Sequence, residues 1–170
     1  MYVVGVDLAA KPGNPAGFAV WREGEIVCWS ESSDDERVLE VCRKAELVVF
    51  DAPLTESDRP FRRRDEIFRR YAPVLPLTFP GMRELSRRAR SLVRRLELEV
   101  YETYPRAAER FIRLHGNPVD EHSRDAAICC AVGLAVLEGE AHVFGEPPKA
   151  ALPKRELSVS VRALTAPPDV

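Results

Sequence analysis

The run Val3-Val4-Gly5-Val6-Asp7-Leu8 constrains this chain more than any other stretch. It is apolar enough to be a strand buried on both faces, yet it carries a carboxylate near its end. Three further acids stand in comparable places. Asp51 follows Leu47-Val48-Val49-Phe50, Glu102 follows Leu98-Glu99-Val100-Tyr101, and Asp125 opens a twelve-residue nonpolar run. A buried charge is costly unless it is paired or holds a metal. Four acids at the ends of hydrophobic elements therefore predict one acidic, metal-binding site.

Local signals set the order of elements. Residues 2–8 form a strand, Lys11-Pro12-Gly13-Asn14-Pro15 a turn rich in breakers, and residues 16–21 a second strand. The turn Arg22-Glu23-Gly24-Glu25 leads into a third strand over 25–30, so these three make an antiparallel meander. Ser33 followed three residues later by Glu36 is a capping-box signature, and Val38, Val41, Cys42 and Ala45 then share a helical face. Residues 46–51 return as a strand that, after this crossover helix, lies parallel to an earlier one. Pro60 opens a short basic helix over 61–71. Met82, Leu85, Ala89, Leu92, Val93 and Leu96 form the apolar stripe of a helix over 82–96, with Arg83, Arg87, Arg88, Arg90, Arg94 and Arg95 on its other faces. A strand over 98–103 puts Leu98, Val100 and Glu102 on one face. Pro105 and Gly116 bracket a further helix. The last helix starts between Asp120 and Asp125 and runs, apolar nearly all round, to Leu137. Beyond Phe144 prolines thin out regular structure, and only 157–164 alternates, weakly, as a strand.

At 170 residues the chain is long enough for one domain with a substantial core. No secretion signal is evident. The longest nonpolar run, 126–137, falls short of the roughly 20 residues of a membrane span, so a cytoplasmic location without membrane contact is expected. Cys28, Cys42, Cys129 and Cys130 match no zinc spacing. They are expected as small buried hydrophobes, the alternative being a disulfide from Cys42 to one of the adjacent pair. Charge is distributed unevenly: residues 59–95 hold twelve arginines against three acids, in a chain of formal net charge −2. The simpler reading is a solvated, ion-paired helix face. The scarcity of local acids leaves equally open a basic surface that contacts nucleic-acid phosphates, with Lys11, Arg62, Arg64, Arg69, Arg83, Arg87 and Arg90 as candidates.

Four short motifs occur in order: Gly5-Val6-Asp7-Leu8-Ala9, Phe50-Asp51-Ala52-Pro53-Leu54, Tyr101-Glu102-Thr103-Tyr104-Pro105, and Asp125-Ala126-Ala127-Ile128-Cys129-Cys130-Ala131. With the element order, the chain resembles the RNase H-like fold and, within it, an uncharacterised family of predicted nucleases. Arg62 and Asp65 also match an arginine-and-aspartate pattern there. The resemblance implies an α/β, RNase H-like domain over 1–145 with a basic helical insert at about 56–96, and a proline-rich C-terminal extension over 146–170. Its mixed sheet would have five strands, three antiparallel and then parallel ones, with flanking helices. The resemblance also implies that Asp7 and Asp51 are neighbours, with Glu102 or Asp125 completing the set. Asp7, Asp51, Glu102 and Asp125 are then the catalytic acids, with Asp7, Asp51 and Asp125 holding Mg2+ or Mn2+, cations that prefer hard oxygen ligands. Asp7 would bridge two ions, Asp51 and Asp125 would each help hold one, and Glu102 would be a ligand or orient the water. Lys11 and His122, close in sequence to these acids, are candidates for phosphate binding or proton transfer, against the simpler reading of both as surface residues.

The function so implied is a metal-dependent nuclease hydrolysing phosphodiester bonds in DNA or RNA by a two-metal-ion mechanism. An actin-like nucleotide-binding or phosphotransfer protein resembles it in strand order. Against that, Asp51 is followed by the stiff Ala52-Pro53 rather than by a glycine-rich phosphate loop. A non-catalytic nucleic-acid-binding module is the third reading, marked by salt-sensitive binding without affinity for divalent ions.

Overall fold

Val3, Val4 and Val6 have no solvent exposure, nor do Leu47, Val48, Val49 and Phe50. They belong to two adjacent central strands, β1 (Val3–Asp7) and β4 (Leu47–Asp51), which run parallel. The fold is that of a computed structural model describing residues 2–169. On its other side β1 pairs antiparallel with β2 (Pro15–Arg22), which pairs antiparallel with β3 (Glu25–Ser32). The meander and the parallel return of β4 are thus as the sequence predicts. The link between β3 and β4 is helix α1 (Asp35–Cys42). Its N-cap is Asp34, whose side chain accepts from the Arg37 N–H, so the expected cap at Ser33 is displaced by one residue.

After β4 come α2 (Arg63–Phe68), α3 (Pro80–Arg94), β5 (Glu99–Glu102), α4 (Pro105–Ala108), β6 (Ile112–His115) and α5 (Glu121–Leu137). The chain then forms β7 (Ala141–Phe144), β8 (Ala150–Pro153) and β9 (Leu157–Ala163). All strands join one mixed sheet in the order β6-β9-β3-β2-β1-β4-β5-β8-β7. Among the described residues this corrects the expected five strands to nine. The helix expected between Pro105 and Gly116 stops at Ala108 and gives way to a short 3-10 turn and then β6. There Ile112 and Leu114 turn inward while Arg113 and His115 are exposed, the two-residue period of a strand. Residues from 150 onward supply two strands: β8 pairs with β5 and β7, and β9 with β3 and β6.

Helices cover both faces of the sheet. On one face α5 packs with Val3, Leu47 and Val49. On the other α1 and α3 pack with Val4, Val6, Val48 and Phe50. The alternation of side chains along a strand divides the two cores. All four cysteines are free and buried, as small apolar side chains would be. Among the described residues, no helix is long and apolar enough to cross a membrane.

Candidate functional site

Parallel pairing sets Asp7 directly beside Asp51. Both are in phase with the residues facing α5, since Val3 lies four positions before Asp7 and Val49 two before Asp51 in that core. The N-terminal part of α5 reaches them because the helix lies almost on the backbone of β1 and β2. A Cβ on Gly5 would meet the Ala126 carbonyl oxygen at 2.1 Å and the Cys130 nitrogen at 2.4 Å. One on Gly17 would meet the His122 carbonyl oxygen at 1.8 Å. Glycine at these two positions is thus a condition for docking α5. Asp120 caps that helix, accepting from the Ser123 N–H at 2.8 Å while the Ser123 hydroxyl lies 3.2 Å from the Asp120 N–H. The start of the helix is thereby set so that Asp125 faces the two strand-end aspartates. Asp7, Asp51 and Asp125 each offer a carboxylate oxygen within 4.8 Å of the other two. His122, one turn earlier, places Nδ1 2.9 Å from Oδ2 of Asp7.

The crowding shows in the electrostatics. Burial and then the charges of Asp7 and Asp125 push the Asp51 carboxyl well above the usual carboxylate range. Burial raises Asp7 as well, against the hydrogen bond from His122, and burial followed by the charge of Asp7 lifts Asp125 to about 6. The Asp7 carboxylate in turn raises His122 above its ordinary value. Three carboxyls, each held above its ordinary value chiefly by burial, form a compact cluster of hard oxygen donors. Such a donor set fits a divalent cation of the magnesium or manganese type.

Glu102 does not join this cluster. β5 pairs Glu102 with Phe50, one residue short of Asp51 and in the opposite phase of the sheet. Its carboxylate is 3% exposed as a residue and is enclosed by donors. It accepts from the Leu54 N–H at 2.9 Å, from Arg62 Nη1 at 2.9 Å and Nη2 at 2.5 Å, and from Arg64 Nη1 at 3.1 Å. Arg62 also bonds Asp65 through Nε and Nη2 and Thr55 through Nη1, so its whole guanidinium is engaged. Arg64 completes its contacts on the carbonyls of Glu146 and Pro148. Glu102, Arg62 and Arg64 are thus bonded to one another and to nearby backbone inside the protein. The arginine-and-aspartate pattern noted in the sequence is this buried clamp, which ties α2 to the end of β5 and to the turn before β8.

The other basic candidates lie outside. Lys11, Arg69, Arg83 and Arg87 are exposed, and Arg90 is half-buried beside Glu56 at 3.3 Å. Arg69 sits over the Phe61 ring. Arg88, expected on an outer face of α3, is buried instead, bonding Asp35 at 2.8 Å and the Ala9 carbonyl at 2.7 Å. His122, for which the simpler expectation from sequence is a surface role, is in direct contact with Asp7. Its spacing of three from Asp125 was the available signal, since residues three apart lie on one helical face.

No protein-family model matches this chain, and no curated protein matches it either. Among solved structures it is similar to Thermus thermophilus RuvC in complex with a Holliday junction substrate, with a TM-score of 0.52 and 16% identity, covering 82% of this chain and 96% of that one. A second structure of Thermus thermophilus RuvC aligns with a TM-score of 0.45 and 15% identity, covering 82% and 97%. The first similarity is one of fold. The chain has an RNase H-like α/β fold, with an acidic triad at the carboxyl end of its two central strands.

Proposed function

We propose that the chain is a metal-dependent nuclease that hydrolyses phosphodiester bonds in DNA or RNA by a two-metal-ion mechanism. The observation that carries this reading is the convergence of Asp7, Asp51 and Asp125 to within 4.8 Å. The RNase H-like fold supports it, since the similar RuvC is seen with a nucleic-acid substrate. Mg2+ or Mn2+ bound there would supply a water of lowered pKa and charge stabilisation for the leaving oxygen.

The chain's own residues divide the work. Asp7, next to Asp51 in register and in contact with His122, would hold the metal together with Asp51 and Asp125. With Nδ1 donating to Asp7, the Nε2 of His122 is the atom that exchanges protons with water or a phosphate oxygen. The Glu102 clamp holds the backbone after Asp51 through the Leu54 N–H, which steadies that strand end. Exposed Lys11, Arg69, Arg83 and Arg87 contribute phosphate contacts that carry no sequence information.

The direct test is Asp7→Asn, assayed with Mn2+ on labelled DNA and RNA strands. Cleavage should fall to background while the thermal unfolding profile stays cooperative. Full activity in this variant would end the assignment.

A further inference from the structure

The acid cluster forms only one end of a larger recess. Phe68, at the end of α2, belongs to the core on the α5 face, whereas Ala89 and Leu92 of α3 belong to the core on the opposite face. Residues 69–79 therefore cross over the edge of the sheet where Asp7 and Asp51 end. This crossing is held at both ends: the Tyr104 hydroxyl donates to the Pro73 carbonyl at 2.6 Å, and the Leu77 N–H to that of Pro60 at 2.7 Å. Beneath it lies a cavity of 270 Å³. Asp7 and Asp51 line one end, and Phe68, Val74, Leu75 and Met82 supply apolar wall. Leu75 is 56% exposed, a large apolar side chain left in water beside a cluster of carboxylates. Arg106, also exposed, stands at the rim.

This combination is selective. A base-paired duplex shows a protein its phosphates and the polar edges of its bases, while stacking hides the base faces. An apolar wall next to a phosphate-handling centre matches a base whose faces are free. The cavity has room for about one base and its sugar, and lies just below the roughly 300–1,000 Å³ of typical small-molecule pockets; no duplex cross-section enters it. We propose that the recess receives the unstacked base of the nucleotide whose phosphate lies at Asp7, Asp51 and Asp125. The substrate is then single-stranded nucleic acid, or a strand opened out of a duplex. The inference rests on the nuclease reading for its phosphate site, and it assigns Leu75 and Val74 to base binding. Arg106 would take a neighbouring phosphate.

The test measures binding separately from cutting. Fluorescein-labelled single strands of DNA and of RNA, and blunt duplexes of the same sequence, are titrated with the full chain in Ca2+, and anisotropy is read. A single strand, of either sugar, should bind roughly tenfold or more tightly than its duplex. Leu75→Asp, on an exposed loop, should lose that preference with unchanged circular dichroism, and Leu75→Met should keep it. Equal affinity for strand and duplex, or single-strand binding by Leu75→Asp within about twofold of wild type, overturns the proposal. Cleavage with Mn2+ is then scored on the same oligonucleotides. Preferential, Leu75-dependent binding without cleavage defeats the nuclease reading and leaves the base recess standing. Cleavage of duplex and strand alike, indifferent to Leu75, does the reverse.

Discussion

Asp125 carries the strain of the acid cluster in a form that can be titrated. Its folded-state value of about 6, against an ordinary 3.8, means that the folded chain binds this proton more tightly than the unfolded chain does. Stability linked to it is therefore complete below the ordinary value and is lost as pH rises to about 6. The metal-free protein should weaken across that window, and Asp125→Asn should flatten the dependence. At mildly alkaline pH that variant should be more stable than wild type by about 1–2 kcal/mol, the displacement being discounted because the carboxyl is partly exposed. Urea midpoints at several pH values decide this, and an unchanged profile would contradict it. Glu102 makes the opposite prediction. Glu102→Ala leaves Arg62 and Arg64 buried with their shared partner gone, a loss of about 3–5 kcal/mol. If Glu102 were a metal ligand instead, calorimetry would show weakened Mn2+ binding with stability nearly intact. In the sequence all four acids look alike, because each ends or begins an apolar run. What separates Glu102 is strand register, and no local pattern carries it.

At the scale of elements, the site depends on how closely α5 lies against β1. The Gly5 position has no room for a methyl group between the strand and the backbone of Ala126 and Cys130. Gly5→Ala should therefore destabilise the protein by about 1–3 kcal/mol. It should also weaken Mn2+ binding, because the helix that carries Asp125 and His122 must retreat from Asp7. A variant that binds Mn2+ as tightly as wild type would show that Asp125 is dispensable to the site. The long helices and central strands were legible, since apolar periodicity is a local property. The strands β6, β7 and β8 were not: each is short, β6 lies in a run that Pro105 and Gly116 bracket as a helix, and β7 and β8 lack the clear alternating apolar pattern that marked the equally short β5. Ala150-Ala151-Leu152-Pro153 in particular holds two residues of low strand propensity and a proline. They become strands because neighbours offer an edge to pair with.

For the whole molecule, the charge pattern separates two tasks that the sequence reading had merged. Of the arginines between residues 59 and 95, Arg62, Arg64 and Arg88 are buried and hold the insert to the sheet, whereas Arg83 and Arg87 stand exposed on α3. Replacing both Arg83 and Arg87 by alanine should leave stability within about 0.5 kcal/mol. It should reduce the salt dependence of single-strand binding, log K against log salt, by about 1.4, or 0.7 per lost phosphate contact. An unaltered slope would place the phosphate track elsewhere. The sequence by itself determined that Asp7 and Asp51 end buried strands and that Asp125 stands just before the buried stretch of a helix, because hydrophobic runs and their boundaries depend on neighbours along the chain. Only the tertiary structure decided that these three acids meet, that His122 reaches Asp7, and that Glu102 is held by arginines. Those outcomes rest on strand register, on the phase of each side chain and on the close docking of one helix, all of them contacts between residues far apart in the chain.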